Sequence, residues 1–308
     1  MNEHTTMPRM TVDEKSLSGW LDEFMSSWRS RYLLVLPVGL LLVVFFFFPL
    51  MIIFLYSFSA SDEVSQLSFT LHNYISVLSS PAKLSMYLHS VVYSSATVAI
   101  CLAIAFPLGN FIAKHLSKLA QAFVIALLVA PLFMSMLIRI LGWRLFMLKF
   151  GVLNELLSYF GLPRIEGLTY MGPMAIFGMV YLYFPFVLFP IYVAISNISD
   201  EILDAARDLG GNTWTIARRI TLPLAAPGVA IGSAFAFALS FGNPVSSEVL
   251  VGNNVQLVGN MEKFSFGYAQ NWVQGSAEST IMMIFLLIVL IPVLKRAEID
   301  RLLHGEGS

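Results

Sequence analysis

The residues best suited to binding chemistry lie in a short polar segment near position 200, in a chain that is otherwise strongly apolar. The segment reads Asp204-Ala205-Ala206-Arg207-Asp208-Leu209-Gly210, and Ile220-Thr221-Leu222-Pro223 follows it after nine residues. At helical spacing, the apolar side chains Ile202, Ala205, Ala206 and Leu209 share one face, and the charged side chains Asp204, Arg207 and Asp208 share another. One interpretation is that these two faces bind a partner through charge and apolar contact. The other interpretation is an amphipathic segment that packs on the protein's own helices.

Local signals predict where the first helix of residues 199–223 begins. Ser199 suits the N-cap position, and the two acids that follow it favour the positive end of the helix dipole. Ile198 and Leu203 have the spacing of a hydrophobic staple across the helix start.

Two glycines, Gly210 and Gly211, predict the end of that helix, because glycine tolerates the left-handed backbone of a helix C-terminus. We predict a second short helix at residues 214–220, which Pro223 limits. The segment is therefore expected to form a helix, a glycine turn and another helix.

The sequence lacks the residue patterns of common catalytic sites. It has no G-x-x-x-x-G-K-[ST] phosphate loop, no H-E-x-x-H and no G-x-S-x-G, so we do not expect this chain to hydrolyse ATP. The five histidines are scattered, which argues against a metal site, and the single Cys101 cannot form an internal disulfide. The net charge of −1 argues against nucleic acid as a partner. We expect no cofactor.

The composition places the polar segment in a membrane protein. Of the 308 residues, 57% are hydrophobic and 12% are charged, whereas a soluble domain carries about 25% charged residues. Because a span needs about 20 apolar residues, we predict an all-α polytopic membrane protein with six transmembrane helices. The predicted spans are residues 33–57, 90–113, 120–143, 171–196, 227–241 and 279–294. A transmembrane domain at 33–295 then separates two cytoplasmic tails, 1–32 and 296–308.

The distribution of lysine and arginine predicts that both termini are cytoplasmic. With the N-terminus inside, twelve of the 18 Lys and Arg residues fall on the inner side of the membrane. The polar N-terminal region and the length of the first apolar segment favour a retained span over a cleaved signal peptide. Residues 199–223, between the fourth and fifth spans, then face the cytoplasm.

The polar segment resembles the EAA signature of the membrane subunits of binding-protein-dependent ABC importers. That signature is E-A-A, three residues, Gly, nine residues and I-x-L-P, and this sequence keeps every spacing with Asp204 in place of Glu. The resemblance implies a coupling helix that docks on separate ABC ATPase subunits. The docking residues that it implies are Asp204, Ala205, Ala206, Arg207, Leu209, Gly210, Ile220, Leu222 and Pro223. It also implies a second permease subunit of a different chain, an extracytoplasmic solute-binding protein and a place in the bacterial inner membrane.

Other stretches resemble the spermidine/putrescine-type permease branch of this family. They are His72-Asn73-Tyr74, Ser135 to Arg139 with Trp143, Gly151-Val152-Leu153-Asn154, Leu239-Ser240-Phe241-Gly242 and Asn271-Trp272. The resemblance implies that the chain forms half of a pathway for a small solute, with a polyamine as the favoured substrate. The branch also includes importers of other small solutes, so these stretches leave the solute open.

The candidate pathway residues are Arg139, Trp143, Phe241 and Asn243. Arg139 is predicted near the outer end of the third span, where it either contacts the pathway or reaches lipid headgroups or a structural partner. The Asn243-Pro244 pair either exposes carbonyls to a cavity or simply ends the fifth span. Glu248 and Glu278, predicted outside, either attract a cationic solute, contact a binding protein or are solvated loop acids.

A self-sufficient secondary transporter or channel is the alternative function. It predicts ionisable residues deep in several spans, or inverted repeats. The predicted span centres are nearly free of acids and bases, and no repeat is apparent. The sequence therefore favours a non-enzymatic importer subunit.

Overall fold

A computed structural model describes residues 37–61, 68–252 and 254–303, with side chains described up to residue 295. In these ranges the regular elements are helical, apart from one antiparallel bridge between Ser59 and Phe69. The all-α prediction is therefore confirmed for the described chain. The predicted tail 1–32 lies outside the described residues, as does the end of the predicted tail 296–308.

The first span, α1 (Pro37–Tyr56), has 20 residues and is about 30 Å long, which matches the hydrocarbon core of a bilayer. Its large apolar side chains are exposed on every side of the helix. A helix that is apolar all round needs lipid or protein around it, so α1 is suited to a membrane. It falls mainly in a structural unit that ends at Leu55, separate from the rest of the chain.

The other helices lie in the second unit, Tyr56–Ser308. In chain order they are α2 (His72–Leu78), α3 (Pro81–His115), α4 (Lys118–Val129), α5 (Met136–Met147), α6 (Val152–Tyr159), α7 (Pro173–Ser196), α8 (Asp200–Asp208), α9 (Thr213–Ile216), α10 (Leu222–Leu224), α11 (Ala226–Phe241), α12 (Val258–Lys263) and α13 (Trp272–Leu303). Helices α3, α7 and α11 pack against one another at the centre of this unit.

The main core consists of buried apolar side chains, largely from α3 and α7, among them Cys101, Met179 and Leu188. Helices α7 and α11 approach closely at Gly228, where an added Cβ atom would lie 2.5 Å from the carbonyl oxygen of Pro190. A larger residue would force the two helices apart. Close contact through small residues is how membrane helices gain packing without a hydrophobic effect.

The third span is not the continuous helix that we predicted at residues 120–143. Helix α4 runs into a short 3₁₀ turn, Ala130–Phe133, and the chain then turns by 97° before α5 continues. Pro131 lacks the N–H group that an α-helix would need there, and this favours the break. The apolar pattern crosses the break without a change, so the sequence did not show it. Arg139 and Trp143 therefore lie on α5, beyond the bend.

The fifth span is bent as well. The helical stretch Thr213–Leu224 meets Ala226–Phe241 at an angle of 72°. The predicted span 227–241 matches α11 to within one residue. Among the described residues, four helices could cross a membrane alone, and the number rises to six if each bent pair is one span. The six-span prediction therefore depends on both bent pairs.

Helices α3 and α13 are longer than the predicted spans 90–113 and 279–294. Helix α3 has 35 residues, or about 52 Å, and so exceeds the roughly 30 Å of a hydrocarbon core. Each end of α3 is therefore available for contacts outside the apolar layer.

Candidate functional site

Helix α8 begins as the sequence predicts. Ser199 has the extended backbone of an N-cap residue, although its side chain forms no capping hydrogen bond. Ile198 and Leu203 are buried together with Ile216 of α9. This small cluster fits the predicted hydrophobic staple and adds a residue from the second helix, so that the cluster holds α8 and α9 together.

The apolar face predicted for α8 is divided between two environments. Ala206 is partly buried against the cluster of Ile198, Leu203 and Ile216. Ile202 and Ala205 are exposed, and Leu209 is 90% exposed. On α9, Trp214 is 73% exposed. Ala206 therefore packs partly on the protein beside Leu203, whereas the other members of the predicted apolar face are exposed.

The charged face of α8 carries an ion pair between Asp204 and Arg207, one helical turn apart. Both side chains are mostly exposed. A surface pair of this kind contributes about 0–1 kcal/mol to stability. Its charges are therefore accessible to a partner and matter little for the fold of the segment.

A glycine turn ends α8, as predicted. Gly210 has φ +82°, in the left-handed region, and no atom lies within 4 Å of where its Cβ would be. The N–H of Gly211 donates to the carbonyl of Ala206 at 3.0 Å, and the side chain of Asn212 accepts from the N–H of Thr215 at 2.8 Å. The turn thus closes one helix and caps the next within three residues.

The second helix differs from the predicted helix at 214–220 that Pro223 ends. Helix α9 passes into a π-helical turn, Ala217–Thr221, and helical structure continues through α10. Pro223 lies at the start of α10, where its missing N–H is tolerated. Ile220 packs on the small apolar cluster, whereas Leu222 and Pro223 are exposed.

Lys114 joins this segment to α3, a connection that our sequence analysis did not predict. Its Nζ donates to the carbonyl of Ile198 at 2.5 Å and to Oδ1 of Asp200 at 2.8 Å. The lysine side chain is only 9% exposed. The hydrogen bond and the charge of Lys114 hold the pKa of Asp200 below its usual value. In the sequence, Lys114 follows an apolar run and is one of the twelve inner-side lysines and arginines that predict the orientation.

Two of the four pathway candidates lie together. Arg139 and Trp143 line a pocket of about 470 Å³ at the bend between α4 and α5. The Trp143 ring makes edge contacts with those of Phe177 and Tyr181, with centroids 4.8 and 5.6 Å away. The Nε atom of Arg139 is buried and has no hydrogen-bond partner among the described residues.

Phe241 and Asn243 lie elsewhere, inside the subunit. Phe241 is fully buried and stacks on Phe285 of α13, with ring centroids 4.9 Å apart. The amide of Asn243 donates to the hydroxyl of Tyr183, and its oxygen accepts from the N–H of Ser246 at 2.9 Å. Asn243 therefore caps the turn after the span, which favours a helix end over a break that exposes carbonyl groups.

Glu278 is not a solvated loop acid. It lies within α13, and its side chain is 1% exposed. The carboxylate accepts hydrogen bonds from Nζ of Lys83 at 2.9 Å and from the hydroxyl of Ser265 at 2.6 Å. The solvated interpretation was wrong because Lys83 is 195 positions away in the chain, so no local pattern shows the pair.

Two further acids differ in their surroundings. Glu248 pairs with Lys263 at 2.6 Å, and both side chains are partly exposed. Glu262, on α12, was not among the residues predicted from the sequence. Burial raises the pKa of Glu262, a hydrogen bond with Ser279 lowers it and the charge of Glu278 raises it, and together they leave this pKa at about 6. A pair of acids near one lysine thus lies at the junction of α3, α12 and α13.

Residues 95–298 match the family described as binding-protein-dependent transport system inner membrane component. The matched region contains the whole of residues 199–223 and most of the membrane helices. The chain belongs to this family. It is thus a permease subunit of an ABC importer and not an enzyme, and ATP hydrolysis belongs to a separate subunit.

Two relatives and one solved structure are similar to this chain over most of its length. The chain is 33% identical over 254 residues to the spermidine/putrescine transport system permease protein PotB of Escherichia coli (strain K12), covering 80% of this chain and 92% of the relative. It is 32% identical over 253 residues to PotB of Salmonella typhimurium (strain SL1344), covering 81% and 88%. A solved structure, the bacterial alginate ABC transporter in complex with alginate pentasaccharide-bound periplasmic protein, matches with a TM-score of 0.69 at 17% identity, over 94% of this chain and 96% of the other. This structural match shows a shared fold.

Proposed function

We propose that the chain forms half of the translocation pathway of an importer for polyamines such as spermidine or putrescine. The observation that carries this proposal is 32–33% identity, over about four-fifths of the chain, to two permeases named for spermidine/putrescine transport. The complete importer contains a second permease of a different chain, ABC ATPase subunits and a solute-binding protein. The shared fold with an importer solved together with a periplasmic protein supports the same kind of assembly.

The ATPase docks on residues 199–223 in this proposal. Support comes from the exposed side chains of Ile202, Leu209 and Trp214, which lie on two short helices held by a common buried cluster. Asp204 and Arg207 add accessible charge beside these apolar groups. An apolar centre with a polar edge is the usual composition of a protein interface. The glycine turn at Gly210 positions the two halves of this surface.

Both termini are cytoplasmic in this proposal. The excess of lysine and arginine on one side supports this orientation, which places residues 199–223 on the same side as the ATPase. The regions 1–32 and 296–308 are then cytoplasmic tails on either side of the transmembrane domain.

The solute pathway passes beside Phe241 and Asn243 when the importer opens. These residues lie at the end of α11, and Tyr183 of α7 and Phe285 of α13 enclose them. Separation of the three helices would expose an aromatic face, to which an ammonium group is attracted. In the described conformation both side chains are buried, so the proposal requires these helices to move apart before a solute can contact them.

A reconstituted importer tests the proposed function. The chain, isolated from native membranes in mild detergent, is expected to carry an ATPase and a second permease, which mass spectrometry would identify. In proteoliposomes with the binding protein, ATP should drive uptake of labelled spermidine or putrescine, and a neutral sugar serves as the control solute. Uptake by the chain alone and without ATP would instead establish a secondary transporter.

A further inference from the structure

The pocket at the bend of the third span combines an apolar wall with one charge. Val124, Leu127 and Leu128 of α4 form part of its wall, and aromatic side chains of α7 form another part. Arg139 contributes the only formal charge among the described lining residues. The pocket is therefore suited to a ligand with an apolar body and an anionic group.

Arg139 has no counter-charge in the described part of the chain. Its Nε is buried without a hydrogen-bond partner, and the ion pairs among described residues do not include it. A cation against an apolar wall is unfavourable unless it is paired. Arg139 is only partly buried, so its terminal nitrogens can meet an anionic partner from outside the described chain.

The position of the pocket favours lipid as the source of that partner. The stretch Lys118–Phe133 is about 24 Å long, somewhat less than the hydrocarbon thickness of about 30 Å. With Lys118 at one membrane surface, Arg139 lies near the opposite surface, where headgroups begin. Phe123, Leu127 and Phe133 are exposed on the same stretch, as contact with acyl chains would allow.

A polyamine does not fit this pocket, although the neighbouring aromatic rings would suit an ammonium group. The guanidinium of Arg139 repels a second cation, and the described lining offers no carboxylate to offset that repulsion. The phosphodiester of a phospholipid supplies oxygen acceptors that match the planar guanidinium. Its acyl chain would occupy the apolar wall.

We propose that this pocket binds one anionic phospholipid, with the phosphate on Arg139 and an acyl chain against Leu127 and Leu128. The site is distinct from the ATPase-docking surface and from the section of pathway at Phe241. The bound lipid fills the bend between α4 and α5 and pairs the charge of Arg139.

Native mass spectrometry of the full chain in its importer complex tests this site, with phosphatidylglycerol and phosphatidylcholine of equal acyl length as probes. Arg139→Gln should weaken phosphatidylglycerol binding about tenfold, because a charged hydrogen bond is lost. Arg139→Lys should restore most of the affinity. The matched control is Arg144→Gln, which removes the same charge from α5 outside the pocket and should leave binding unchanged.

A second variant tests the acyl-chain contact while Arg139 remains in place. Leu127→Trp fills the pocket from α4 and should weaken binding of both lipids. Unchanged phosphatidylglycerol binding in Leu127→Trp, or equal binding in Arg139→Gln and Arg144→Gln, rejects the proposal. Loss of the second permease from Arg139→Gln, with lipid binding intact, also rejects it and assigns the guanidinium to a carboxylate of that subunit.

Discussion

Charged side chains have opposite environments in residues 199–223 and at the junction of α3 with α13. Asp204 and Arg207 form their ion pair in solvent, beside exposed apolar groups. Glu278 is enclosed, and Lys83 and Ser265 satisfy its oxygens. The exposed ion pair can still interact with a partner, whereas the oxygens of Glu278 already accept hydrogen bonds within the subunit. Burial and pairing, more than the number of charges, therefore distinguish the proposed docking surface from a structural junction here.

The largest effect should come from breaking the buried pair. Glu278→Ala leaves the ammonium of Lys83 without its carboxylate, which should lower the free energy of unfolding by about 3 kcal/mol, near the low end for a broken buried pair because Lys83 is partly exposed. Glu248→Ala, which breaks the more exposed pair with Lys263, should cost less than about 1 kcal/mol. Thermal unfolding of the purified complexes measures both. Equal losses would contradict the distinction between the two environments.

The same junction should depend on pH through Glu262. Its pKa of about 6 exceeds the ordinary value of 4.5, so the folded protein favours the protonated form. The stabilisation is complete below pH 4.5 and is lost as the pH rises through 6, a change of about 2 kcal/mol. Glu262→Gln should remove this dependence from melting curves recorded between pH 4.5 and 7.5. An exposed control, Glu155→Gln, should retain it.

Strain in the glycine turn at Gly210 should reduce the coupling of ATP hydrolysis to transport more than it reduces the stability of the fold. Gly210→Val places a β-branched residue at φ +82°, at a cost of about 1–2 kcal/mol, and should reduce ATP-driven uptake at least tenfold. Gly161→Val creates the same type of strain at φ +71°, after α6 and away from the proposed docking surface. Both variants are expected to reach the membrane in normal amounts. Similar uptake by the two would show that the position of the turn is unimportant.

The exposed apolar face should contribute more to docking than the charges beside it. Leu209→Asp should weaken association with the ATPase about tenfold, since a partner can no longer bury this leucine. Leu162→Asp, exposed in the loop after α6, serves as the control. Surface plasmon resonance with the immobilised permease pair measures both affinities. Unchanged affinity for Leu209→Asp would remove this residue from the interface.

The smallest effect is expected at the surface ion pair. Asp204→Ala should weaken ATPase association less than about fivefold, consistent with about 1 kcal/mol or less for an exposed charge. The same binding assay applies, with Glu201→Ala as the control for lost negative charge on α8. A tenfold or larger effect of Asp204→Ala would show that the partner buries this carboxylate.

Local structure was predictable from the sequence to a much greater extent than contacts across the fold. Gly210 and the pair of Ile198 with Leu203 were identified correctly because caps and staples depend on residues a few positions apart. Lys83 with Glu278 and Lys114 with Asp200 could not be identified, since their positions are 195 and 86 residues apart. No local pattern encodes such pairs.

The bend of the third span shows a different limit. Apolar residues on both sides of Pro131 satisfy the same hydropathy pattern, whether the helix is straight or broken. Only the backbone shows that Arg139 lies past the bend and lines a pocket. The hydropathy pattern therefore predicts how many residues lie in the membrane, but it does not predict the direction of the helix.

The length of α3 gives the subunit a mechanical property. The helix carries an anchored lysine near each end, Lys83 on Glu278 and Lys114 on Asp200, about 46 Å apart along its axis. A rigid rod of this length acts as a lever, so a tilt of about 5° at one anchor moves the other by about 4 Å. Pro107, within the helix, is where such a lever would most easily bend. A push on residues 199–223 would thus pass through α3 to the far side of the membrane domain, and α7 and α11, which pack along it, would shift as well.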